Sequence, residues 1–301
     1  MRKIFKFIGW VFLTAIGIGL IVIFEIKEWP VGSSLGGLLA GVTLGPLWSS
    51  IQDFWDTTNW KSSQRKLERG GIISKDTKVR ISFAYLFRIK VDGKYFLVKN
   101  ARGTGKFQPV GGVYKLKNEE AIYLRQKFSA EDDSKIPVDQ SSKWDYRLWI
   151  KDKHLRKFVG RFNKTEQRES IANLSREFRE ELIDTGILDR AVFSQISYMF
   201  CGRHFTELKY GEHFQCYELL MADVVEVQLT DVQVQFLRNL MSAPSEQYSF
   251  ISEEDIESLG VQAGSDNLVE SIGDHTKKIL ISHSEDLLPI KHTGEHFNVA
   301  L

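Results

Sequence analysis

The sequence has few of the features that mark disulfide-stabilised, zinc-binding or nucleic-acid-coating proteins. It has only two cysteines, Cys201 and Cys216, and no CxxC spacing, which excludes a disulfide framework and a cysteine zinc site and fits a reducing compartment. Lys and Arg total 40 against 39 Asp and Glu, so there is no global positive field and direct binding to polymeric nucleic acid is not expected. With 301 residues, the chain has room for one or two domains with sizeable cores.

Charge is also missing from two long stretches near the N-terminus. Residues 7–24 are 18 residues without a charge, and residues 30–51 are 22 more. About 20 apolar residues span the hydrocarbon core of a bilayer, so we predict two transmembrane helices that form a hairpin over residues 1–52. A signal peptide is the alternative for the first stretch. Against it, no small-x-small cleavage site follows, and the second apolar stretch begins almost at once.

Positive residues flank the outer ends of these two stretches and are scarce between them. The turn carries Lys27, offset by Glu25 and Glu28. The outer ends carry Arg2, Lys3, Lys6, Lys61, Arg65, Lys66 and Arg69. Lys and Arg near the ends of membrane spans stay in the cytoplasm. Both termini and everything after the hairpin are therefore expected on the cytoplasmic side of the membrane.

The second apolar stretch also carries a row of small residues. Gly37, Gly41 and Gly45 are spaced four apart, and Ser33 and Ser49 extend the row. Such a face lets helix backbones approach closely in lipid. It predicts close helix packing, either within the hairpin or between chains, and the second alternative implies a homo-oligomer.

The rest of the chain alternates strand-like and helix-like patterns. Residues 53–78 form a polar linker whose first half suits a short amphipathic helix near the membrane interface, broken by Gly70 and Gly71. Residues 79–301 form the cytoplasmic domain, where Asp92-Gly93 between two β-rich stretches predicts a hairpin. Further strands are predicted over 191–200 and 214–229, and a helix capped by Thr230 or Asp231 over 230–243. This order indicates a mixed α/β or α+β domain.

Residues 175–186, "SREFREELIDTG", place three glutamates at the start of an apolar-periodic segment. Ser175 suits an N-cap, although Thr165 could begin a longer helix. Glu177, Glu180 and Glu181 stand at i, i+3 and i+4 and share one helix face. Oxygen ligands placed in this way suit a hard cation such as Mg²⁺. A solvated surface, or neutralisation by the neighbouring Arg176 and Arg179, explains the same pattern.

The stretch "REFREEL" resembles the core of the Nudix box, and the upstream "FQPVGG" resembles the strand end that opens it. In that family the box forms a loop–helix–loop within an α/β/α sandwich, and its glutamates bind Mg²⁺ or Mn²⁺ that bridges diphosphate oxygens. The resemblance implies that Glu177, Glu180 and Glu181 are metal ligands and that Gly111 and Gly112 shape the loop.

The box departs from the family pattern in three places. An insertion of about fifty residues, within about 113–175, separates Gly112 from Arg176, and Asn118 stands where a glutamate is expected, with Glu119 and Glu120 beside it. The closing glycine, Gly186, also lies further along than usual. A displacement of about 1 Å costs roughly a hundredfold in rate. A Nudix box interrupted by an insertion can therefore keep its fold and its metal-binding glutamates while losing hydrolytic activity.

Part of the insertion, residues 143–164, is basic and interleaved with aromatic residues, namely Trp144, Tyr146, Trp149 and Phe158. Cations such as Arg147 and Lys151 suit the phosphates of a nucleotide, and the rings suit base stacking. An extra subdomain that buries these rings in its own core is the alternative.

Two N-terminal membrane helices followed by a Nudix-like domain with a long insertion resemble the SMODS-associated Nudix proteins, which are membrane effectors of bacterial CBASS antiphage systems. The resemblance implies that the domain senses a cyclic nucleotide made by a CD-NTase and that the helices then disrupt the inner membrane, which gives abortive infection. A membrane-anchored, Mg²⁺-dependent Nudix hydrolase of nucleoside diphosphate derivatives is the alternative. A membrane-tethered scaffold that binds only protein is a third hypothesis.

Overall fold

The computed structural model describes residues 2–27, 29–55, 60–100, 105–136, 142–243, 245–261 and 271–301. The chain divides into two compact units, residues 1–66 and 67–301. Glu28 of the predicted turn and the side chains of Ser33 and Ser49 lie outside what is described. The helices are α1 (Arg2–Ile26), α2 (Pro30–Trp55), α3 (Trp60–Arg69), α4 (Asn118–Phe128), α5 (Asp152–Phe162), α6 (Ser175–Phe178), α7 (Asp231–Met241) and α8 (Glu253–Glu257).

The first unit is built on α1 and α2. In α1 the segment Ile8–Ile26 is long and apolar enough to cross a membrane. A signal sequence near the N-terminus meets the same criteria of length and composition. Most apolar side chains of Ile8–Ile26 are exposed, Phe12 and Ile26 among them. In α2 the apolar part found among the described residues, Ser34–Leu47, is shorter. One membrane-length apolar helix is therefore found, and the second span stays a prediction.

Small residues bring α1 and α2 together. A Cβ added to Gly17 would lie 2.8 Å from the backbone nitrogen of Ala40, and one added to Gly36 would lie 2.8 Å from that of Ile21. The hydroxyl of Thr14 donates a 3.0 Å hydrogen bond to that of Thr43 between the helices. Close approach at small residues joined by a polar contact is typical of helices that pack in lipid.

The row Gly37, Gly41 and Gly45 is not part of this contact. All three residues are exposed, and a Cβ at any of them would meet nothing within 4 Å. The prediction that this row packs within the hairpin is wrong. The α1-facing side of α2 lies one residue earlier, at Gly36, Ala40 and Thr43. Packing of the row between chains stays a prediction.

The linker prediction is only partly correct. α2 continues to Trp55 and α3 begins at Trp60, so helix occupies both sides of residues 56–59, which lie outside the described residues. Trp60, the first residue of α3, is buried. α3 ends at Arg69, just before Gly70 and Gly71, as predicted.

Twelve strands are present within the described residues of the second unit. They are β1 (Lys78–Arg88), β2 (Lys90–Val91), β3 (Lys94–Lys99), β4 (Phe107–Gln108), β5 (Gly111–Val113), β6 (Glu131–Asp132), β7 (Arg147–Lys151), β8 (Gln195–Phe205), β9 (Lys209–Gly211), β10 (Cys216–Gln228), β11 (Tyr248–Ile251) and β12 (His296–Ala300). Together with the helices they give a mixed α/β fold.

The larger sheet has the order β12-β8-β10-β1-β7-β6, with β1 and β10 parallel. The edge of β1 that faces away from β10 pairs with two different strands. β7 pairs with Lys78–Ser82, and β5 pairs with Ala84–Leu86. Because β7 and β6 belong to the predicted insertion, the insertion extends the main sheet.

Aromatic residues of the insertion form the core beneath this extended edge. Tyr146, Phe158 and Phe162 are fully buried, and their rings contact the ring of Phe83 on β1. Tyr146 and Phe158 are therefore core residues, but they pack in the core of the main sheet and not in that of a separate subdomain. Trp149 is partly buried, and Trp144 remains 36% exposed, so it is the ring of this group that faces outward.

The smaller sheet has the order β11-β3-β2, with β4 paired to β3. The predicted turn at Asp92-Gly93 joins β2 to β3, and both turn residues have positive φ, 48° and 81°. The preceding predicted strand is interrupted at Ile89, where the chain passes from the larger sheet to the smaller. The long strand β1 of the larger sheet was therefore read as part of this hairpin.

Two other predictions can be compared with the structure. α7 is confirmed: Thr230 caps it, with a reciprocal contact to Gln233. The strand predicted over 191–200 is displaced, because residues 191–193 form a turn and β8 begins at Gln195. In that turn Phe193 is buried against the ring of Phe236, so its hydrophobicity serves packing and not strand formation.

Candidate functional site

Gly111 and Gly112 lie where β5 meets β1, and neither has room for a side chain. A Cβ at Gly111 would sit 2.3 Å from the carbonyl oxygen of Tyr85, and one at Gly112 would sit 1.8 Å from Glu177 Oε1. At Gly111 the near atom is backbone, which requires glycine, whereas at Gly112 a methyl group would have to displace the Glu177 side chain. The predicted loop-shaping role of both glycines therefore has a steric basis, and it brings "PVGG" and "REFREEL" into direct contact.

The helix that carries the glutamates begins at Ser175 but is not capped by it. Leu174 is the residue before the helix, and the Ser175 hydroxyl contacts Asn173. The longer helix from Thr165 is also wrong, because no helix precedes Ser175 over residues 165–174. After one α-helical turn, residues Arg179–Ile183 form a π-helix. Such π-turns occur often at functional sites.

Arg176 gathers the acidic side chains. Its Nη1 lies 2.6 Å from Glu177 Oε1 and 3.6 Å from Glu180 Oε2, and its Nη2 donates to the Val113 carbonyl at 3.0 Å. On the other side of the loop, Glu181 Oε2 accepts a 3.3 Å hydrogen bond from the Gly111 amide. Arg176 thus neutralises part of the cluster. Arg179 instead lies 3.7 Å from Asp184.

Glu169 completes this arrangement and was missed by sequence analysis. Its carboxylate lies 3.2 Å from Arg176 and accepts hydrogen bonds from the Tyr85 hydroxyl and the Lys115 amide. Burial raises the pKa of Glu169, opposed by Arg176. The two glutamates next to Asn118 are not part of this cluster. Glu120 is fully buried and pairs with Arg161, and Glu119 is exposed.

A cavity of about 430 Å³ opens beside the glycines and glutamates. It lies over the face of β1 that carries Arg80, Ser82, Ala84 and Leu86, while the alternate residues of β1 face the aromatic core. Its volume falls within the range of small-molecule sites, roughly 300–1,000 Å³. Polar or charged side chains from several elements line it, namely Arg80, Ser82, Asn100, Gln108, Asp145, Arg147, Glu177, Glu181, His275 and Lys278.

Lys278 is the cation of this cavity that the protein itself does not neutralise. Arg80 pairs with Asp133 and Glu218, and Arg147 pairs with Asp145. Among the described residues no carboxylate pairs with Lys278. Burial, with Lys209 as a second cause, lowers the pKa of Lys278 below its usual value. A partly buried ammonium that faces a cavity without an acidic partner suits an anionic ligand.

His275 lies one turn before Lys278 on the 3₁₀-helix Asp274–Ile279 and also lines the cavity. Burial, and then the charge of Lys278, lower the pKa of His275 to about 4. Its imidazole is therefore neutral at physiological pH and supplies one hydrogen-bond donor and one acceptor. No motif in the sequence pointed to either residue.

Arg147 and Lys151, the two cations predicted to bind phosphates, lie at opposite ends of β7. Arg147 lines the cavity, where Asp145 holds its guanidinium at 3.2 Å. Lys151 lies at the other end of β7 and pairs with Asp76 at 3.2 Å, and it is not among the residues that line the cavity. The structure therefore brings Arg147, but not Lys151, to the glycines and glutamates.

The predicted metal ligands form only part of a metal site. Across the described ranges, no group of three or more His, Cys, Asp or Glu side chains is placed to hold an ion. Glu177 and Glu181 line the cavity, and Glu180 does not. Mg²⁺ is usually bound by one or two carboxylates together with substrate phosphates. The donor set fits an ion that is held by Glu177, Glu181 and phosphate oxygens.

Sequence comparison agrees with this geometry. The family model of the SMODS-associated NUDIX domain matches residues 78–280, about two-thirds of the chain, from β1 to the 3₁₀-helix that carries Lys278. No curated protein matches the sequence. The match includes the glycine turn, the insertion and the glutamate helix, so it takes in every element around the cavity. The chain therefore belongs to the SMODS-associated NUDIX family.

Proposed function

We propose that the protein is a membrane effector of a CBASS antiphage system. In this proposal the NUDIX domain senses a cyclic nucleotide made by a CD-NTase, and the N-terminal helices then disrupt the bacterial inner membrane, giving abortive infection. Both helices cross the membrane, and both termini and the NUDIX domain are cytoplasmic. Family membership and the exposed apolar helix α1 support this proposal.

The observation that carries the proposal is the charge arrangement of the 430 Å³ cavity. Lys278, which has no carboxylate partner among the described residues, would face a phosphate of the ligand, and Arg147 lines the same space. Glu177 and Glu181 would hold Mg²⁺ beside another phosphate oxygen, where the ion offsets the like charges of carboxylate and phosphate. A cyclic oligonucleotide carries a phosphate at each linkage, so it presents several anionic oxygens to such a site.

The same geometry favours binding over turnover. Arg176 is already engaged with Glu177, Glu169 and the Val113 carbonyl, so it holds the glutamate against the glycine turn. The π-turn that follows changes the spacing of Glu180 and Glu181 relative to Glu177. Glu180 consequently lies outside the lining of the cavity. A site that holds a nucleotide without hydrolysing it acts as a sensor.

Binding of cyclic di- and trinucleotides to the full-length protein in detergent, measured by calorimetry with Mg²⁺, tests the proposal. Lys278→Met should weaken binding of the cognate nucleotide by roughly tenfold or more, because hydrogen bonds to charged groups contribute about 1.5–3 kcal/mol. Lys277→Met is the matched control, since Lys277 is the neighbouring residue on the same 3₁₀-helix and faces Glu257 instead. Absence of binding by every cyclic nucleotide would refute the sensor function.

The membrane step requires that the ligand favour one state of the protein over another. We propose that activated chains associate through the exposed row Gly37, Gly41 and Gly45. Gly41→Leu should abolish toxicity in cells with an active cognate synthase while leaving the hairpin intact, because nothing lies within 4 Å of Gly41. Gly36→Leu disrupts the α1–α2 contact itself and serves as a comparison. Undiminished toxicity of Gly41→Leu would rule out this face.

A membrane-anchored NUDIX hydrolase is the second candidate, favoured by the retained carboxylates Glu177 and Glu181 at the glycine turn. In such an enzyme a bound Mg²⁺ would polarise a diphosphate for attack by water. Incubation with Mg²⁺ and a panel of nucleoside diphosphate derivatives tests it. Turnover that is lost in the Glu180→Gln/Glu181→Gln double variant would establish hydrolysis, and turnover that persists in it would come from another source.

A further inference from the structure

A second, smaller cavity of about 190 Å³ lies within the insertion. The apolar residues Leu116, Ala121, Leu124, Ala130, Leu148 and Trp144 form part of its wall, and the charged residues Arg125, Asp132, Asp133, Asp145 and Arg147 also line it. An apolar cavity of about 150 Å³ is already large enough to hold a benzene ring. This one therefore has room for a single aromatic ring system and is too small for a whole nucleotide.

The small cavity adjoins the larger one. Ile136, Asp145 and Arg147 line both, so the two cavities share a wall. Asp145 is held from both sides, by the Lys115 ammonium and by Arg147 at 3.2 Å. An ion-pair network therefore lies where the two cavities adjoin.

Trp144 is held at the small cavity in an unfavourable backbone conformation. Its φ is 70°, a region that bulky residues seldom adopt. Two hydrogen bonds fix it there: the Leu116 amide donates to the Trp144 carbonyl at 2.6 Å, and the Asp145 amide donates to the Ser142 carbonyl at 3.2 Å. Strain that is held by surrounding contacts is concentrated at binding and catalytic sites. Tyr146 and Phe158 are buried in the core, whereas Trp144 is partly exposed and lines the small cavity.

The rim of this cavity is polar. Arg125 and Asp132 line it, Arg125 Nη2 lies 2.9 and 3.2 Å from the two carboxylate oxygens of Asp132, and both side chains are more than half exposed. The ammonium of Lys143 lies 5.5 Å from the centre of the Trp144 ring. An apolar slot with one stacking ring and a rim of hydrogen-bond donors and acceptors matches a nucleobase, which has two apolar faces and a polar edge.

We propose that the small cavity is a base-recognition pocket in which one base of the cyclic nucleotide stacks on Trp144, while the adjoining phosphate lies in the larger cavity near Arg147 and Lys278. This inference rests on the proposed function, because it assigns a further part of the same ligand. It gives the insertion a role: the insertion extends the main sheet and also builds the slot that reads the base.

Calorimetry of the full-length protein in detergent, with cyclic di- and triadenylate, cyclic diguanylate and mixed cyclic dinucleotides, tests this pocket. Trp144→Ala should weaken the best-binding nucleotide roughly tenfold or more, because stacking on an aromatic ring contributes strongly for each base. Trp144→Phe keeps a stacking ring and should lose much less. Tyr210→Ala removes an exposed ring on β9, outside both cavities, and should leave affinity unchanged.

A second variant fills the pocket without touching Trp144. Ala130→Leu adds bulk to a lining residue and should exclude the base while the larger cavity stays open. Near-ultraviolet circular dichroism and thermal unfolding of each variant show whether it is folded.

The outcomes separate the two claims. If nucleotides bind, Lys278→Met weakens them, and Trp144→Ala and Ala130→Leu both stay within twofold of the parent, the sensor function stands and the base pocket is overturned. If no cyclic nucleotide binds the parent protein, both are overturned. Weakening by Trp144→Ala and Ala130→Leu, with retention by Trp144→Phe, supports the pocket.

Discussion

Substitution of Gly112 by alanine tests the contact between the two halves of the motif. The new methyl group would lie 1.8 Å from Glu177 Oε1, 2.1 Å from its Cδ and 2.4 Å from its Cγ. Gly112 does not have positive φ, so alanine suits its backbone and the whole effect comes from the collision. The Glu177 side chain must therefore swing away, which breaks its 2.6 Å ion pair with Arg176.

The magnitude follows from that pair. A hydrogen bond between charged groups contributes about 1.5–3 kcal/mol, and these partners are only 16% and 22% exposed, so screening is incomplete. The displaced carboxylate gains water in the cavity, and Arg176 keeps Glu169, so we expect a net loss of about 1–2 kcal/mol. For a unit of this size the melting temperature should fall by roughly 2–8 °C.

A double-mutant cycle makes the reasoning refutable. Glu177→Ala removes all three atoms that the new methyl group would meet, so Gly112→Ala should cost less than about 0.5 kcal/mol in that background. The assay is thermal unfolding of the full-length protein in detergent. Gly160→Ala is the matched control: the site is helical and has nothing within 4 Å, so stability should rise by up to about 1 kcal/mol. Additive effects of Gly112→Ala and Glu177→Ala would show that the two residues do not meet.

Three further perturbations test other parts of the structure. Asp223→Asn leaves the buried Arg203 guanidinium without its 2.6 Å partner and should cost roughly 3–5 kcal/mol in chemical unfolding; a loss below about 1 kcal/mol would contradict the buried pair. His275→Asn should make the free energy of unfolding depend less on pH between pH 6.5 and 4. In this range the unfolded parent binds more protons at His275 than the folded parent does, so the parent loses stability as pH falls, by at most about 3 kcal/mol. An unchanged dependence on pH in the variant would refute the lowered pKa of His275. Thr43→Val removes the Thr14 hydroxyl bond and should weaken the helix pair by about 0.6 kcal/mol, measured by thermal unfolding in detergent; no change would mean that the bond is not formed.

Only the tertiary structure shows which glycines of α2 contact α1 and which remain exposed. Sequence spacing singled out Gly37, Gly41 and Gly45, but α1 contacts the neighbouring side of the helix at Gly36 and Ala40. A helix presents a new face every residue, about 100° apart, so spacing alone identifies a row but not its partner. Only the position of α1 shows that this row is left exposed.

Local chemistry explains the elements that the sequence predicted well. Thr230 with Gln233 forms a capping box, and Asp92-Gly93 allows the positive φ of a tight hairpin, because both depend only on residues close together in the chain. The Nudix resemblance also singled out Gly111, Gly112 and Glu177, and the structure places Gly112 against Glu177.

The site itself required the fold. Glu169 comes from a loop, Arg147 from a strand that the insertion adds to the sheet, and Lys278 from a 3₁₀-helix near the C-terminus, and no spacing links them. Arg147 and Lys278 line one cavity, and Glu169 binds Arg176 beside it, because β1 pairs with β10 on one edge and shares its other edge between β5 and β7. Sequence by itself determined the apolar N-terminal helix, the motif and the alternation of elements, since these follow from local periodicity and composition. The cavity, with Lys278 and Arg147 in its lining, was decided by sheet pairing and by contacts between residues far apart in the chain.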